Sequence, residues 1–133
     1  MNSSGITIIG LGPGDPGLIT REAWGIITNL SEIYLRTNQH PSVKYFPNSV
    51  KVHSFDSLYE ELDSFDQVYN EIIKEIMALG SRDVGVVYAV PGHPFVAETT
   101  CSEIYRRAKE LNLNINSYKS DVFKSCNISV MFL

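Results

Sequence analysis

The segment Val84-Gly85-Val86-Val87-Tyr88-Ala89-Val90 is a nearly unbroken apolar run that stops at Pro91-Gly92, and it constrains this chain more than any other feature. A strand wetted on one face alternates apolar and polar residues; a run without alternation is the pattern of a parallel strand covered on both faces. Parallel neighbours need crossover connections, so the remaining sequence has to supply further strands with helices between them. It does. Ile6 to Gly10 is a second short run rich in β-branched residues and closed by glycine, as a buried strand should be. Thr20 can cap a helix whose apolar positions Ala23, Ile26, Ile27 and Leu30 recur at helical spacing until Ser31 breaks the pattern.

Ile33-Tyr34-Leu35 and Val50-Lys51-Val52 read as two more strands, separated by a turn-prone stretch holding His40-Pro41 and Pro47-Asn48. Phe65, Val68, Ile72, Ile76 and Leu79 fall on one face of a helix ending near Gly80, and Ala97, Cys101, Ile104, Ala108 and Leu111 on one face of another. After Asn112 a last strand is expected at Leu113 to Ile115. The order β-α-β-β-α-β-α-β predicts an α/β fold: a mainly parallel sheet of about five strands flanked by helices, with ligands at the carboxyl ends of the strands.

Bulk properties narrow the function classes. A length of 133 residues, 44% hydrophobic and 20% charged, fits one soluble domain with a core. The net charge is −4 and only Arg106-Arg107 are adjacent bases, which argues against a nucleic-acid partner. No apolar run approaches the roughly 18 residues of a membrane span, and Met1 to Gly5 lacks a signal peptide's basic start, so a cytoplasmic protein is expected. Cys101 and Cys126 have no metal-type spacing and read as reduced, structural thiols. The acidic stretch Asp56, Glu60, Glu61, Asp63, Asp66 and Glu71 contains no base before Lys74 and reads as solvated faces and helix-start carboxylates.

Two loops at strand ends can carry chemistry. The first is Gly10-Leu11-Gly12-Pro13-Gly14-Asp15-Pro16-Gly17, where alternating glycines admit a ligand or a neighbouring backbone and the prolines fix the path. A dinucleotide fingerprint would need glycine where Asp15 stands, and no GK[ST] ending follows, so pyrophosphate and P-loop chemistry are both disfavoured, and with them an oxidoreductase lobe. Asp15 itself reads equally as a turn former beside Pro16 or as a ligand contact. The second loop is Val90-Pro91-Gly92-His93-Pro94-Phe95-Val96-Ala97-Glu98. Pro94 suits a first helical turn whose N–H groups face the pocket. His93 reads equally as a titrating functional group or as a backbone-bonded loop residue, and no second ligand stands at zinc spacing. Glu98 reads as a helix-start carboxylate.

Together, Gly10-Leu11-Gly12-Pro13-Gly14-Asp15-Pro16-Gly17-Leu18-Ile19-Thr20 and Tyr88-Ala89-Val90-Pro91-Gly92-His93-Pro94-Phe95-Val96-Ala97-Glu98 resemble the tetrapyrrole (corrin/porphyrin) methylase family. The second motif is most similar to the branch fused to a MazG-type nucleotide pyrophosphohydrolase. The similarity runs from about Ile6 to Ile115. It implies the N-terminal lobe of the tetrapyrrole methylase fold over residues 1–116, with 117–133 a divergent or truncated tail. It also implies S-adenosylmethionine as methyl donor, held between this lobe and a second one. By position, Pro13, Pro91, Gly92, His93 and Val96 match the family's cofactor contacts.

The partners implied are a small-molecule methyl acceptor of tetrapyrrole type, a second copy in a homodimer, and a fused or associated pyrophosphohydrolase. Three departures bear on these expectations. His93 replaces the more usual Asp, Arg36-Thr37 stands near a proposed catalytic Asp of the uroporphyrinogen branch, and Asn116 to Phe123 lacks the expected Pro-Gly-Val-Ser-like segment. The alternative they leave open is a non-catalytic sensing or interaction module.

Overall fold

The structure, a computed structural model, describes residues 4–94 and 98–118. Five strands, β1 (Ile6–Gly10), β2 (Glu32–Leu35), β3 (Lys51–Ser54), β4 (Val86–Val90) and β5 (Ile115–Tyr118), form one sheet in the order β3-β2-β4-β1-β5. Every pairing is parallel. Four helices connect them: α1 (Arg21–Thr28), α2 (Asp56–Glu61), α3 (Phe65–Gly80) and α4 (Thr99–Glu110). The α/β class and the five parallel strands are those expected. Alternation within strands places Ile6, Ile8, Tyr88 and Val90 in the core beneath α3 and α4, and Ile9, Leu11, Ile33, Leu35 and Ala89 in the core beneath α1.

Helix ends follow local chemistry. The Thr20 side chain accepts the N–H of Ala23 and starts α1, and Ser64 accepts that of Gln67 and starts α3. Val68, Ile72 and Ile76 are buried as the spacing predicted, but Phe65 is 67% exposed and stacks on Tyr69 instead. Being the first residue of α3, it sits before the helix reaches the sheet. The acidic stretch contains α2, with Asp56 in its first turn, and Asp66 opens α3; α2 was not anticipated, because no apolar face repeats long enough to signal it.

Two boundaries differ from the sequence expectation. α4 begins at Thr99 and not near Pro94, because the Glu98 side chain accepts the N–H of Thr100 and caps the helix there. The last strand is displaced from 113–115 to Ile115–Tyr118, since Asn112 adopts φ 54 and the chain must first leave the helix before pairing with β1. Among the described residues, no helix is long and apolar enough to cross a membrane.

Candidate functional site

β1 runs through α1 to β2, and β4 runs through α4 to β5, so the chains leaving these two adjacent strands turn to opposite faces of the sheet. A parallel sheet opens a crevice at such a switch point, outside the carboxyl ends of the strands, and ligands bind there. Both glycine-proline loops lie at this point: β1 ends at Gly10 and β4 at Val90, in register. Topology and loop composition thus point to the same candidate site.

The loops are joined by backbone. Gly12 N–H donates to Gly92 C=O at 3.1 Å and Gly92 N–H returns a bond to Gly12 C=O at 2.9 Å. Just before it, Leu11 N–H donates to Val90 C=O at 2.8 Å. Gly12 C=O also accepts from His40 Nε2 at 2.8 Å, so both lone pairs of that carbonyl are taken. These glycine amides therefore hold the two loops to each other and are not free to meet a ligand. A Cβ on Gly10 would stand 2.6 Å from Gly92 O and 2.7 Å from Pro94 Cδ, which makes this glycine a requirement of the close approach. Gly92 differs. Its φ is +69 and a Cβ there would meet nothing within 4 Å among the described residues, which leave the backbone open on that side. Pro13 is exposed at the tip of the first loop, and Pro91 is partly exposed.

Asp15 resolves as a turn former: its Oδ1 accepts Gly17 N–H at 2.8 Å and caps the 3-10 turn Pro16–Leu18. His93 is 2% exposed, so its imidazole is packed inside the loop and out of solvent. Val96 lies outside the described residues. α4 starts at Thr99 with Glu98 as its cap, so the first-turn N–H groups of this helix are those from Thr99 onward.

Sequence reading underestimated Glu98. It is 9% exposed, and its Oε2 lies 2.9 Å from Arg36 Nε, one residue past β2. Arg36 Nη1 in turn donates to Tyr59 Oη at 3.1 Å, in α2. Burial opposes the charge on Arg36, but the Glu98 carboxylate and the Tyr59 hydroxyl outweigh it and raise its pKa above the ordinary arginine value. On the other side Thr100 Oγ1 donates to Glu98 Oε1, so Tyr88 Oη, 2.9 Å away, donates to Thr100. Burial, and next the neighbouring Cys101, hold the Tyr88 phenol well above its usual range; burial and then Glu98 do the same to the Cys101 thiol. Neither is an ionised nucleophile at neutral pH. No group of three His, Cys, Asp or Glu among the described residues is placed to hold a metal ion. A cavity of about 70 Å³ lined by Leu30, Glu32, Arg82 and Val84 lies at the opposite end of the sheet, and is far below the roughly 300 Å³ of a small-molecule site.

Residues 5–117 match the model of the Tetrapyrrole (Corrin/Porphyrin) Methylases. The chain belongs to this family. It is 35% identical over 127 residues to the uncharacterized protein YabN of Bacillus subtilis (strain 168), covering 95% of this chain and 26% of that protein. Among solved structures, a uroporphyrin-III-C-methyltransferase of Thermus thermophilus aligns over 92% of this chain and 52% of its own, with a TM-score of 0.63 at 14% identity. The cobalt precorrin-4 methyltransferase CbiF aligns over 87% of this chain and 45% of its own, with a TM-score of 0.62 at 18% identity. The Thermus enzyme is also known complexed with S-adenyl homocysteine, at a TM-score of 0.56, 16% identity and coverage of 91% of this chain and 51% of that one. At these identities the likeness establishes the family fold. The chain spans about a quarter of YabN and about half of these structures.

Proposed function

We propose that this chain is the N-terminal lobe of an S-adenosylmethionine-dependent methyltransferase of the tetrapyrrole methylase type and forms one wall of the cofactor cleft. The observation that carries the reading is the Gly12–Gly92 bridge at the switch point between β1 and β4, with open space on the Gly92 side. The donor set argues against a phosphate, which S-adenosylmethionine lacks: backbone amides of both glycines are used between the loops, and Asp15 adds a carboxylate nearby. Pro13, Pro91, Gly92, His93 and Val96 are assigned to the wall by their match to the family's cofactor contacts, the exposed Pro13 and partly exposed Pro91 by apolar contact and Gly92 by admitting the ligand to the backbone. The bound cofactor supplies the methyl group that passes to a nucleophilic carbon or nitrogen of the acceptor. What the lobe contributes is orientation and exclusion of water, which account for most of the rate gain in such a transfer.

The acceptor is a small molecule of tetrapyrrole class, the protein is cytoplasmic and works as a homodimer, and a second lobe completes the cleft. The lobe boundary expected at residue 116 falls inside β5, so the lobe extends at least to Tyr118. YabN, about four times as long by the coverage of 26%, has room for a second lobe and a MazG-type pyrophosphohydrolase. Isothermal calorimetry with S-adenosylhomocysteine tests the reading: binding is expected, and Gly92→Val should weaken it about ten-fold or more by filling the open side. Absence of binding both by this chain and by a longer protein containing it would sink the proposal.

One observation favours a second reading, a non-catalytic sensing or interaction module. The position near the proposed catalytic Asp of one family branch carries Arg36, held by Glu98 and Tyr59, and an arginine does not itself take a proton there. Cofactor-dependent methylation of any tetrapyrrole by the intact protein would refute that alternative.

A further inference from the structure

The turn between β2 and β3 is fitted to the first loop residue by residue. Gly12, Pro13 and Gly14 lie against His40, Pro41 and Ser42. His40 Nε2 is 2.8 Å from Gly12 C=O, Ser42 Oγ donates to Gly14 C=O at 3.1 Å, and Pro41 Cγ lies 3.3 Å from where a Cβ on Gly14 would stand. The imidazole's proton can be placed. Ser42 N–H points at His40 Nδ1 at 3.2 Å, so Nδ1 accepts, and the neutral ring carries its hydrogen on Nε2, which donates to Gly12. His40 and Ser42 are both buried, so these bonds are made away from water, where an unmade one is costly.

Pro13 has no N–H with which to anchor itself. The carbonyls of Gly12 and Gly14, the residues on either side of it, are held by His40 and Ser42, while the Gly12 carbonyl is shared with Gly92 of the second loop. We infer that His40 and Ser42 are positioning residues of the cofactor site: they fix the first loop, with Pro13 at its tip, against the second loop so that the wall is formed before the ligand arrives. This rests on the proposed cofactor-binding reading, and a preformed wall raises affinity by removing the ordering cost of the loop.

The test uses the 133-residue chain, calorimetry with S-adenosylhomocysteine, and amide hydrogen exchange by NMR. His40→Leu removes both ring contacts at similar size; it is expected to weaken binding about ten-fold and to speed exchange at Gly12 and Gly92 while Ile8 and Tyr88 in the sheet keep their protection. His40→Gln, whose amide can restore the donor to Gly12, is expected to recover most of both. Ser42→Ala, a change small enough to fold if His40→Leu does not, should shift both readouts in the same direction. Wild-type affinity and exchange in His40→Leu and Ser42→Ala would overturn the inference. Failure of both the wild-type chain and a longer protein containing it to bind would instead remove the cofactor reading, and the exchange arm then decides the loop clamp by itself: unchanged exchange at Gly12 and Gly92 overturns it.

Discussion

Gly10 and Gly92 are both glycines of the same site, yet the space around them differs in kind. At Gly10 a single methyl group would meet the Gly92 carbonyl at 2.6 Å and the Pro94 ring at 2.7 Å, so the two loops would have to separate. Gly10→Ala is therefore expected to cost about 2 kcal/mol in urea denaturation, as overpacking does, and to weaken S-adenosylhomocysteine binding together with stability. At Gly92 the methyl meets none of the described residues, and the cost is the left-handed backbone, φ +69, at about 1 kcal/mol. A Gly92→Ala variant is expected to lose only that, whereas Gly92→Val loses affinity out of proportion to stability, because the added bulk lies where the ligand is proposed to sit. Equal stability losses for Gly10→Ala and Gly92→Ala would contradict this division of roles.

The start of α4 shows how an element's position is set by a side chain whose partners are remote in sequence. Glu98 caps Thr100 N–H, pairs with Arg36 beyond β2 and accepts the Thr100 hydroxyl, so it ties α4 to the middle of the sheet. Glu98→Ala removes the cap and strands a half-buried guanidinium; a loss of about 3 kcal/mol by chemical denaturation is expected, with Glu98→Gln intermediate because it keeps a capping acceptor. A loss below about 1 kcal/mol for Glu98→Ala would mean that solvent compensates Arg36. None of this was legible in the sequence, where Glu98 reads as an ordinary helix-start carboxylate and Pro94 looks like the better start. What was legible is what periodicity writes locally: β1, the Thr20 cap of α1, and the Val68, Ile72 and Ile76 face of α3. The two loops were legible as candidates through their glycines and prolines. Their union was not, because the Gly12–Gly92 bridge is made of backbone atoms and leaves no side-chain signature. His40 and Ser42 were hidden for a related reason: their partners are carbonyls, which every residue has.

Across the whole molecule the sheet has two ends with different physical work. At the carboxyl ends of the strands, glycines and prolines trade packing for an open backbone; at the amino ends, charged side chains tie elements together. Glu32, at the start of β2, accepts from Arg82 at 3.0 Å in the turn after α3 and lies 3.1 Å from His53 Nε2 in β3. Arg82 also donates to the carbonyls of Leu79 and Gly85, closing the turn that leads into β4. Burial by itself would raise the Glu32 pKa, but the hydrogen bonds from Arg82 and His53 outweigh it, and the carboxyl titrates below the ordinary glutamate value. Its ionised form is thus favoured by folding. The resulting stability is present above the unfolded value of about 4.3 and is lost as pH falls through the lower folded value. Glu32→Gln is expected to lower Tm by about 3 °C at pH 7, corresponding to about 1 kcal/mol for a partly exposed pair, and the gap to wild type should close as pH is taken from about 5 to about 2. Because Glu32 lies at the end of the sheet opposite the Gly12–Gly92 bridge, the same variant should bind S-adenosylhomocysteine with unchanged affinity at pH 7. A gap in Tm that persists at pH 2 would show that the glutamate acts by shape and not by charge, and a loss of affinity at pH 7 would show that the two ends of the sheet are coupled.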